Sequence, residues 1–244
     1  MLIFAHRGAS GYAPENTLAA MTKAIELGAK AIELDVHCVE GELVVFHDRR
    51  LEGKSTGHGL IHLCTLAELT QYAVGGEPIP SLWDVLTHLD SITQGHCIIN
   101  IEIKGVGCVT PFVNMYPRLL AQLRFSPSQL LISSFNHLYV AQIKQQLPQA
   151  FVAPLLGSIP LDLAQVVTDL DAYSIHLDVA FINQAIIDDA HQRGAKVYVY
   201  TVDNSDDIQS LKALGVDGVF SNYPDKAIAA AALALPEQIK TWFD

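Results

Sequence analysis

The sequence predicts an α/β fold of the (β/α)8 TIM-barrel type, with a small insertion after the second strand. Three observations carry this reading. Apolar strand-like runs alternate with helix-like segments along the whole chain, the main runs number eight within 244 residues, and no GxGxxG loop of the kind that marks a doubly wound dinucleotide-binding sheet occurs. Strands separated by crossover helices must run parallel, and eight βα units in this length match a closed barrel.

Leu2–Ala5 is the first strand, and Pro14 and Gly28 bracket a helix over Glu15–Leu27. Ala31–His37 is the second strand, turning at Glu40-Gly41 into a short run, Leu43–Phe46. Arg49–His96 is long for one connection. Within it, Thr65-Leu66-Ala67-Glu68 and Ser81-Leu82-Trp83-Asp84 each pair a capping residue with an acid three positions later. The second of these begins the barrel helix, which leaves about 51–80 as an insertion beside the barrel mouth, placed to shape a pocket or act as a lid.

The third strand is Ile98–Ile103, followed by a helix over Phe112–Leu123. Strand Leu130–Ser133 and helix His137–Gln146 come next, then strand Val152–Leu155 and helix Leu161–Leu170. Strand Ala172–His176 precedes helix Ile182–Arg193, ended by Gly194. Strand Lys196–Val202 and helix Ser205–Leu214, ended by Gly215, lead to the last strand, Gly218–Ser221. An alanine-rich helix follows Pro224, and Pro236 restarts the chain for a last short helix.

Half of the residues are hydrophobic and only 17% are charged, so one sizeable core over residues 1–244 is expected and long disordered stretches are not. No apolar run is long enough to span a bilayer, and Met1–Ala5 lacks the basic and apolar regions of a secretory signal, so a cytoplasmic chain is expected. Cys38, Cys64, Cys97 and Cys108 form no CxxC pair and read as reduced core or loop residues. A net charge of −11 argues against nucleic acid or an anionic membrane as partner, while a small anion can still bind at a locally positive or metal-bearing site. A homo-oligomer is left open.

Barrel enzymes carry their chemistry at the carboxyl ends of the strands. The first strand ends there in His6-Arg7-Gly8, a proton carrier beside a bidentate anion binder. In the second strand, alternation puts Glu33, Asp35 and His37 on one face and Ile32, Leu34 and Val36 on the other. The apolar set belongs against the helices, which aims the carboxylates inward. Taken alone, the two acids could be a protonated or arginine-paired couple. In the third strand Asn100, Glu102 and Lys104 share a face, so Glu102 adds a third carboxylate and Lys104 a charge that can neutralise an anion. Three inward acids from adjacent strands point to a divalent metal ion, with hard oxygen ligands favouring Mg²⁺, Mn²⁺ or Ca²⁺ over zinc.

His47 follows the apolar Val44-Val45-Phe46, as His6 follows the first strand, and the two suggest a proton donor and acceptor pair. His37, farther along the carboxylate face, and His176, ending strand six, are lesser candidates. His58 and His62 fall in the insertion, and His88, His96, His137 and His191 read as surface or packing residues. Aromatics at the strand ends, Tyr200 among them, could pack against an alcohol or glycerol chain.

These stretches together resemble the glycerophosphodiester phosphodiesterase family. The likeness rests on His6-Arg7-Gly8 with Pro14-Glu15-Asn16-Thr17, on Glu33-Leu34-Asp35-Val36, on His47-Asp48 and on Glu102-Ile103-Lys104. Ser133-Ser134-Phe135 and Gly215-Val216-Asp217-Gly218 add weaker support. The resemblance implies a (β/α)8 barrel, a divalent metal ion, and hydrolysis of glycerophosphodiesters to glycerol 3-phosphate and an alcohol. It also implies that Glu33, Asp35 and Glu102 bind the metal, that His6 and His47 form the acid–base pair, and that Arg7 and Lys104 bind the phosphate.

The chain departs from the family pattern at two strand ends. Tyr200-Thr201-Val202-Asp203 stands where Trp-Thr-Val-Asn is usual, and Ser221-Asn222-Tyr223-Pro224 where Thr-Asp precedes the proline. These departures bear on substrate shape, because aromatics on strand seven would line the leaving-group side. Two other readings share the motifs: a phospholipase-type phosphodiesterase releasing a cyclic phosphate, and a barrel that binds phosphodiesters without turning them over.

Overall fold

Ile32, Leu34 and Val36 meet Ile99, Ile101 and Ile103 in one buried cluster with Leu82, Leu86 and Phe112, so the apolar faces of two neighbouring strands do pack outward against helices. The fold, a computed structural model, is described for residues 1–235. The short helix expected after Pro236 lies outside the described residues.

The chain opens with β1 (Leu2–Ala5), α1 (Leu18–Glu26) and β2 (Ala31–Val39). β2 turns through Glu40-Gly41 into the antiparallel β3 (Glu42–Val45). Both turn residues have positive φ, 49° and 86°, the two-residue combination whose twist matches that of paired strands. A 3₁₀ turn (Ile61–Leu63), α2 (Leu66–Leu69) and the small hairpin β4 (Ala73–Val74) and β5 (Glu77–Pro78) precede α3 (Leu82–Thr93). Then come β6 (Ile98–Ile103), α4 (Val109–Gln122), β7 (Leu130–Ser134), α5 (His137–Gln146), β8 (Phe151–Leu156) and α6 (Gln165–Asp169). β9 (Ser174–Asp178), α7 (Gln184–Gln192), β10 (Lys196–Tyr200), α8 (Ser205–Ala213), β11 (Gly218–Ser221) and α9 (Pro224–Ala232) complete it. β1 pairs in parallel with both β2 and β11, so β1, β2 and β6 through β11 close into an eight-stranded barrel.

Two layers of core result. Strand residues facing outward pack on the helices, as Ile175, Val197 and Val219 do with Ile186, Ile187 and Leu211. Inside the barrel, Phe4, Ala31, Leu131, Ala153, Tyr198 and Phe220 form a plug, with Phe4 and Phe220 stacked at 4.6 Å between ring centres. Two residues beyond Ala31, towards the carboxyl end of β2, stands Glu33, so the plug is the floor on which polar residues sit.

The insertion has a core of its own. Leu51, Ile61, Leu69 and Val74 pack with Val39, Val44 and Phe46 of the β2–β3 ribbon. Thr65 and Glu68 form the reciprocal cap their spacing predicts, and Ser81 caps α3 by accepting from the Asp84 backbone N–H at 3.0 Å. The insertion rests on the loop after β1: Lys54 Nζ donates to Glu15 at 2.8 Å, and Gly75 packs so closely on Pro14 that a Cβ there would lie 2.5 Å from its ring.

Some boundaries differ from expectation. Helix α1 starts at Leu18 instead of Glu15, because Thr17 is its N-cap and accepts from Ala20 N–H. Pro14-Glu15-Asn16 is thereby left outside the helix, with Asn16 at φ 59°. The helix expected over Leu161–Leu170 shrinks to Gln165–Asp169, since Leu163 takes a positive φ of 52° and Leu161 is fully solvent-exposed. The strand expected over Ala172–His176 is shifted by two residues to Ser174–Asp178, which keeps the same residues facing inward. All four cysteines are free.

Gly8 follows the first strand at φ +78°, and a Cβ there would lie 2.6 Å from the backbone carbon of Ala20. Gly28 has a similar φ of +89° but open space around it. Gly8→Ala is therefore expected to cost about 2–3 kcal/mol, against about 1 kcal/mol for Gly28→Ala, in urea denaturation. Equal losses at the two positions would show that the close approach to α1 is not a constraint.

Candidate active site

The register of the sheet puts Glu33 beside Asn100 and Asp35 beside Glu102 on the paired strands β2 and β6. Glu33, Asp35 and Glu102 are all buried, and each offers a carboxylate oxygen within 4.8 Å of the others. Glu33 and Glu102, with Asp35 adjoining them, line a cavity of about 170 Å³ together with His6, Arg7, His47 and Lys104. Phe135, Leu155, Tyr200 and Phe220 line it as well. None of the described residues lining it comes from the insertion, whose Lys54 reaches Glu15 beside it.

The acids are held by nearby donors. Glu33 accepts from the Arg7 backbone N–H at 2.7 Å, a bond made by the left-handed conformation of Arg7 (φ 56°). Asp35 is bracketed by Asn16, whose Nδ2 donates to it at 2.9 Å while its Oδ1 accepts from the Asp35 backbone N–H at 3.3 Å. Arg7 Nε stands 3.4 Å from Asp35, and Arg7 Nη1 donates to Glu15 at 2.9 Å. Lys104 Nζ donates to Glu102 at 2.9 Å and is 3.6 Å from Asp35.

Charge is unevenly shared. Burial and the neighbouring Asp35 and Glu102 push the Glu33 carboxyl well above its usual range. Burial, then Asp35, pushes Glu102 up to about 7. Burial would raise Asp35 too, but Lys104 and Arg7 outweigh it and hold that carboxyl low. Burial opposes the charged forms of Arg7 and Lys104, yet the acids around them raise both. With all three acids ionised, three carboxylates against two bases would leave a net negative charge, which one divalent cation would turn positive. Arg7 Nε is also a buried donor that makes no hydrogen bond. The donor set therefore fits a hard cation, and the net charge with that cation in place fits an anionic ligand.

Both histidines have one nitrogen engaged. His6 Nδ1 meets Asn222 Oδ1 at 2.8 Å, and burial, then Arg7, pulls its pKa down to about 4. Its Nε2 is 4.0 Å from Glu33. His47 Nδ1 meets the Asp48 carboxylate at 2.6 Å, and burial lowers its pKa as well. Both rings are thus neutral near pH 7, with Nδ1 tied down.

The lesser candidates separate. His37 shares the carboxylate face but bonds through Nε2 to the His47 carbonyl at 3.1 Å, so it supports the His47 loop. His176 lines the cavity, fully buried between Tyr198 and Phe220. Its Nε2 lies 3.1 Å from Ser174 Oγ, its Nδ1 has no partner, and burial drops its pKa to about 3. Tyr200 lines the cavity with its ring, edge-on to Phe135, while its hydroxyl donates to the Leu156 carbonyl at 2.8 Å. Residue-by-residue reading of the sequence gave no role to Asn16, Asp48, Asp203 or Asn222. The signal for Asn16 was its place in Pro14-Glu15-Asn16-Thr17, since asparagine tolerates the left-handed backbone better than most residues.

Tyr200→Phe removes only the bond to Leu156. It is expected to lower stability by about 1 kcal/mol and to leave substrate affinity within about twofold, whereas Tyr200→Ala should lower stability by about 3–5 kcal/mol. A large rise in KM for Tyr200→Phe would mean that the hydroxyl contacts substrate.

The likeness to known proteins runs along nearly the whole chain. The profile of the Glycerophosphoryl diester phosphodiesterase family matches residues 6–226. A glycerophosphodiester phosphodiesterase of Caldanaerobacter subterraneus subsp. tengcongensis is 31% identical over 237 residues, covering 93% of this chain and 96% of the relative. The structure of an Oleispira antarctica phosphodiesterase in complex with the product sn-glycerol-3-phosphate superposes with a TM-score of 0.85 at 31% identity, covering 96% of this chain and 97% of that one. A glycerophosphodiester phosphodiesterase from Agrobacterium tumefaciens superposes with a TM-score of 0.76 at 26% identity, over 94% of this chain and 99% of that one. With a barrel, a clustered acidic site and a family match that runs through nearly all of its length, this chain belongs to the glycerophosphoryl diester phosphodiesterase family and is an enzyme of it.

Proposed function

We propose that the chain hydrolyses glycerophosphodiesters to sn-glycerol 3-phosphate and an alcohol, with Glu33, Asp35 and Glu102 holding a divalent metal ion and with His6 and His47 moving the protons. The observation that carries this reading is the gathering of three buried carboxylates, two bases and two neutral histidines around one cavity. The product complex of the Oleispira relative supports the choice of product. Mg²⁺, Mn²⁺ and Ca²⁺ all suit an all-oxygen donor set. When bound, such an ion would stabilise charge building on a non-bridging phosphoryl oxygen.

The chain's own groups supply the rest. Arg7, with a buried Nε that makes no hydrogen bond, and Lys104 bring positive charge to the phosphate. A neutral imidazole can accept a proton at Nε2 once its Nδ1–H is donated elsewhere, and both His6 and His47 have such a partner for Nδ1. One ring takes the proton of the nucleophile at Nε2, and the other, once it has taken up a proton from solvent at Nε2, delivers it to the departing alkoxide. Phe135, Tyr200 and Phe220 give the cavity apolar surface on which the carbon skeleton of the substrate can rest.

The test is release of sn-glycerol 3-phosphate from glycerophosphocholine and glycerophosphoethanolamine, with EDTA, Mg²⁺, Mn²⁺ or Ca²⁺. Release is expected to need metal, and His6→Ala or His47→Ala should each lower kcat by ~10²–10⁴. Glu33→Gln and Glu102→Gln should weaken metal binding measured directly by calorimetry. Release that persists in EDTA, or in His6→Ala, would sink these assignments.

A further inference from the structure

Asp203 and Asn222 lie just past the ends of β10 and β11 and are joined to each other and to His6. Asp203 Oδ1 accepts from the Ser221 hydroxyl and from the Asn222 backbone N–H, each at 2.8 Å. Its Oδ2 accepts from Asn222 Nδ2 at 2.6 Å. On the far side of the amide, Asn222 Oδ1 lies 2.8 Å from His6 Nδ1 and 2.7 Å from Ser10 Oγ. The backbone is fixed as well: His6 N–H donates to the Ser221 carbonyl at 2.9 Å, and Gly11 N–H to the Asn222 carbonyl at 2.9 Å.

The chemistry of these partners leaves one arrangement. An ionised carboxylate only accepts, so the amide must turn its NH₂ to Asp203 and its oxygen to His6. An amide oxygen only accepts, so a neutral His6 must carry its hydrogen on Nδ1. The lone pair is then on Nε2, the nitrogen nearer Glu33 and the carboxylate cluster. His47 has the same tautomer imposed directly by Asp48. At His6 the acid acts one residue removed.

We propose that Asp203 is a positioning residue, which through Asn222 fixes the tautomer of His6 and so keeps Nε2 open as a proton acceptor. Acid stands at 203 and amide at 222, and the two side chains are in contact. Asp203→Asn offers the amide of Asn222 a partner that can either donate or accept. Asn222 can then flip and present NH₂ to Nδ1, which moves the His6 hydrogen to Nε2 and removes the acceptor. The double variant Asp203→Asn with Asn222→Asp restores an acceptor against Nδ1.

The inference rests on His6 as a proton-transfer group, so the test reads the tautomer apart from turnover. Ring ¹⁵N shifts of the metal-free protein, with His6 assigned by loss of its signals in His6→Ala, should report the Nδ1–H form in the parent protein. Asp203→Asn should shift His6 substantially to the Nε2–H form, and the double variant should return it. In the metal-supplemented assay, Asp203→Asn should lower kcat about 10²-fold with KM within about twofold, and the double variant should recover to within about fivefold. If Asp203→Asn does not fold, Asn222→Ala keeps the Asp203 bonds to Ser221 and to the backbone while removing the acceptor, and should likewise lose the Nδ1–H preference. An unchanged His6 tautomer in the variant used overturns the inference, whatever the activity. Full activity in His6→Ala overturns instead the catalytic role of His6, and leaves the tautomer result to be read on its own.

Discussion

Glu33, Asp35 and Glu102 repel one another inside a protein wall that excludes most of their hydration. The surrounding mouth is arranged to make that repulsion tolerable. Arg7 contributes a backbone N–H to Glu33 and a guanidinium beside Asp35, Lys104 reaches both Asp35 and Glu102, and Asn16 clasps Asp35 from two sides. The loop after β1 leaves the helical region to do this, with Arg7 and Asn16 both at positive φ. Delaying α1 to Thr17 is the local cost, and capping by the Thr17 hydroxyl limits it.

The same charges explain why the site can change state with its ligands. Two of the acids favour their protons as they stand, so a cation would displace protons as well as fill space. The bases remain charged because the acids are there. The neutral rings of Phe135, Tyr200 and Phe220 line the same cavity and add nothing to this balance, so charge and apolar surface meet in one place. A small amphiphilic anion suits both.

The insertion is a second solution to a packing problem. A two-stranded ribbon such as β2–β3 projects beyond the barrel and exposes Val39, Val44 and Phe46 unless something covers them. Leu51, Ile61, Leu69 and Val74 do so. Its link to the chemistry runs through the Lys54–Glu15–Arg7 chain of ion pairs. It therefore steadies Arg7 from outside, without lining the cavity.

The sequence by itself determined the alternation of the barrel, the outward apolar faces of β2 and β6, and the set Glu33, Asp35 and Glu102. Period-two patterning and neighbouring strands suffice for that, because pairing in register carries the polar face of one strand onto the next. Thr65 with Glu68, and Ser81 with Asp84, were legible for the same reason, being contacts three residues apart. Only the tertiary structure decided the partners of the histidines. His6 and Asn222 are 216 residues apart and meet only because β1 pairs with β11 when the barrel closes. Nothing in a short polar residue after a strand says which chain end will face it, and the local pattern that set His47 above His37 could not show that His37 holds the His47 backbone carbonyl. Closure is a long-range event, and the roles it assigns belong to the fold.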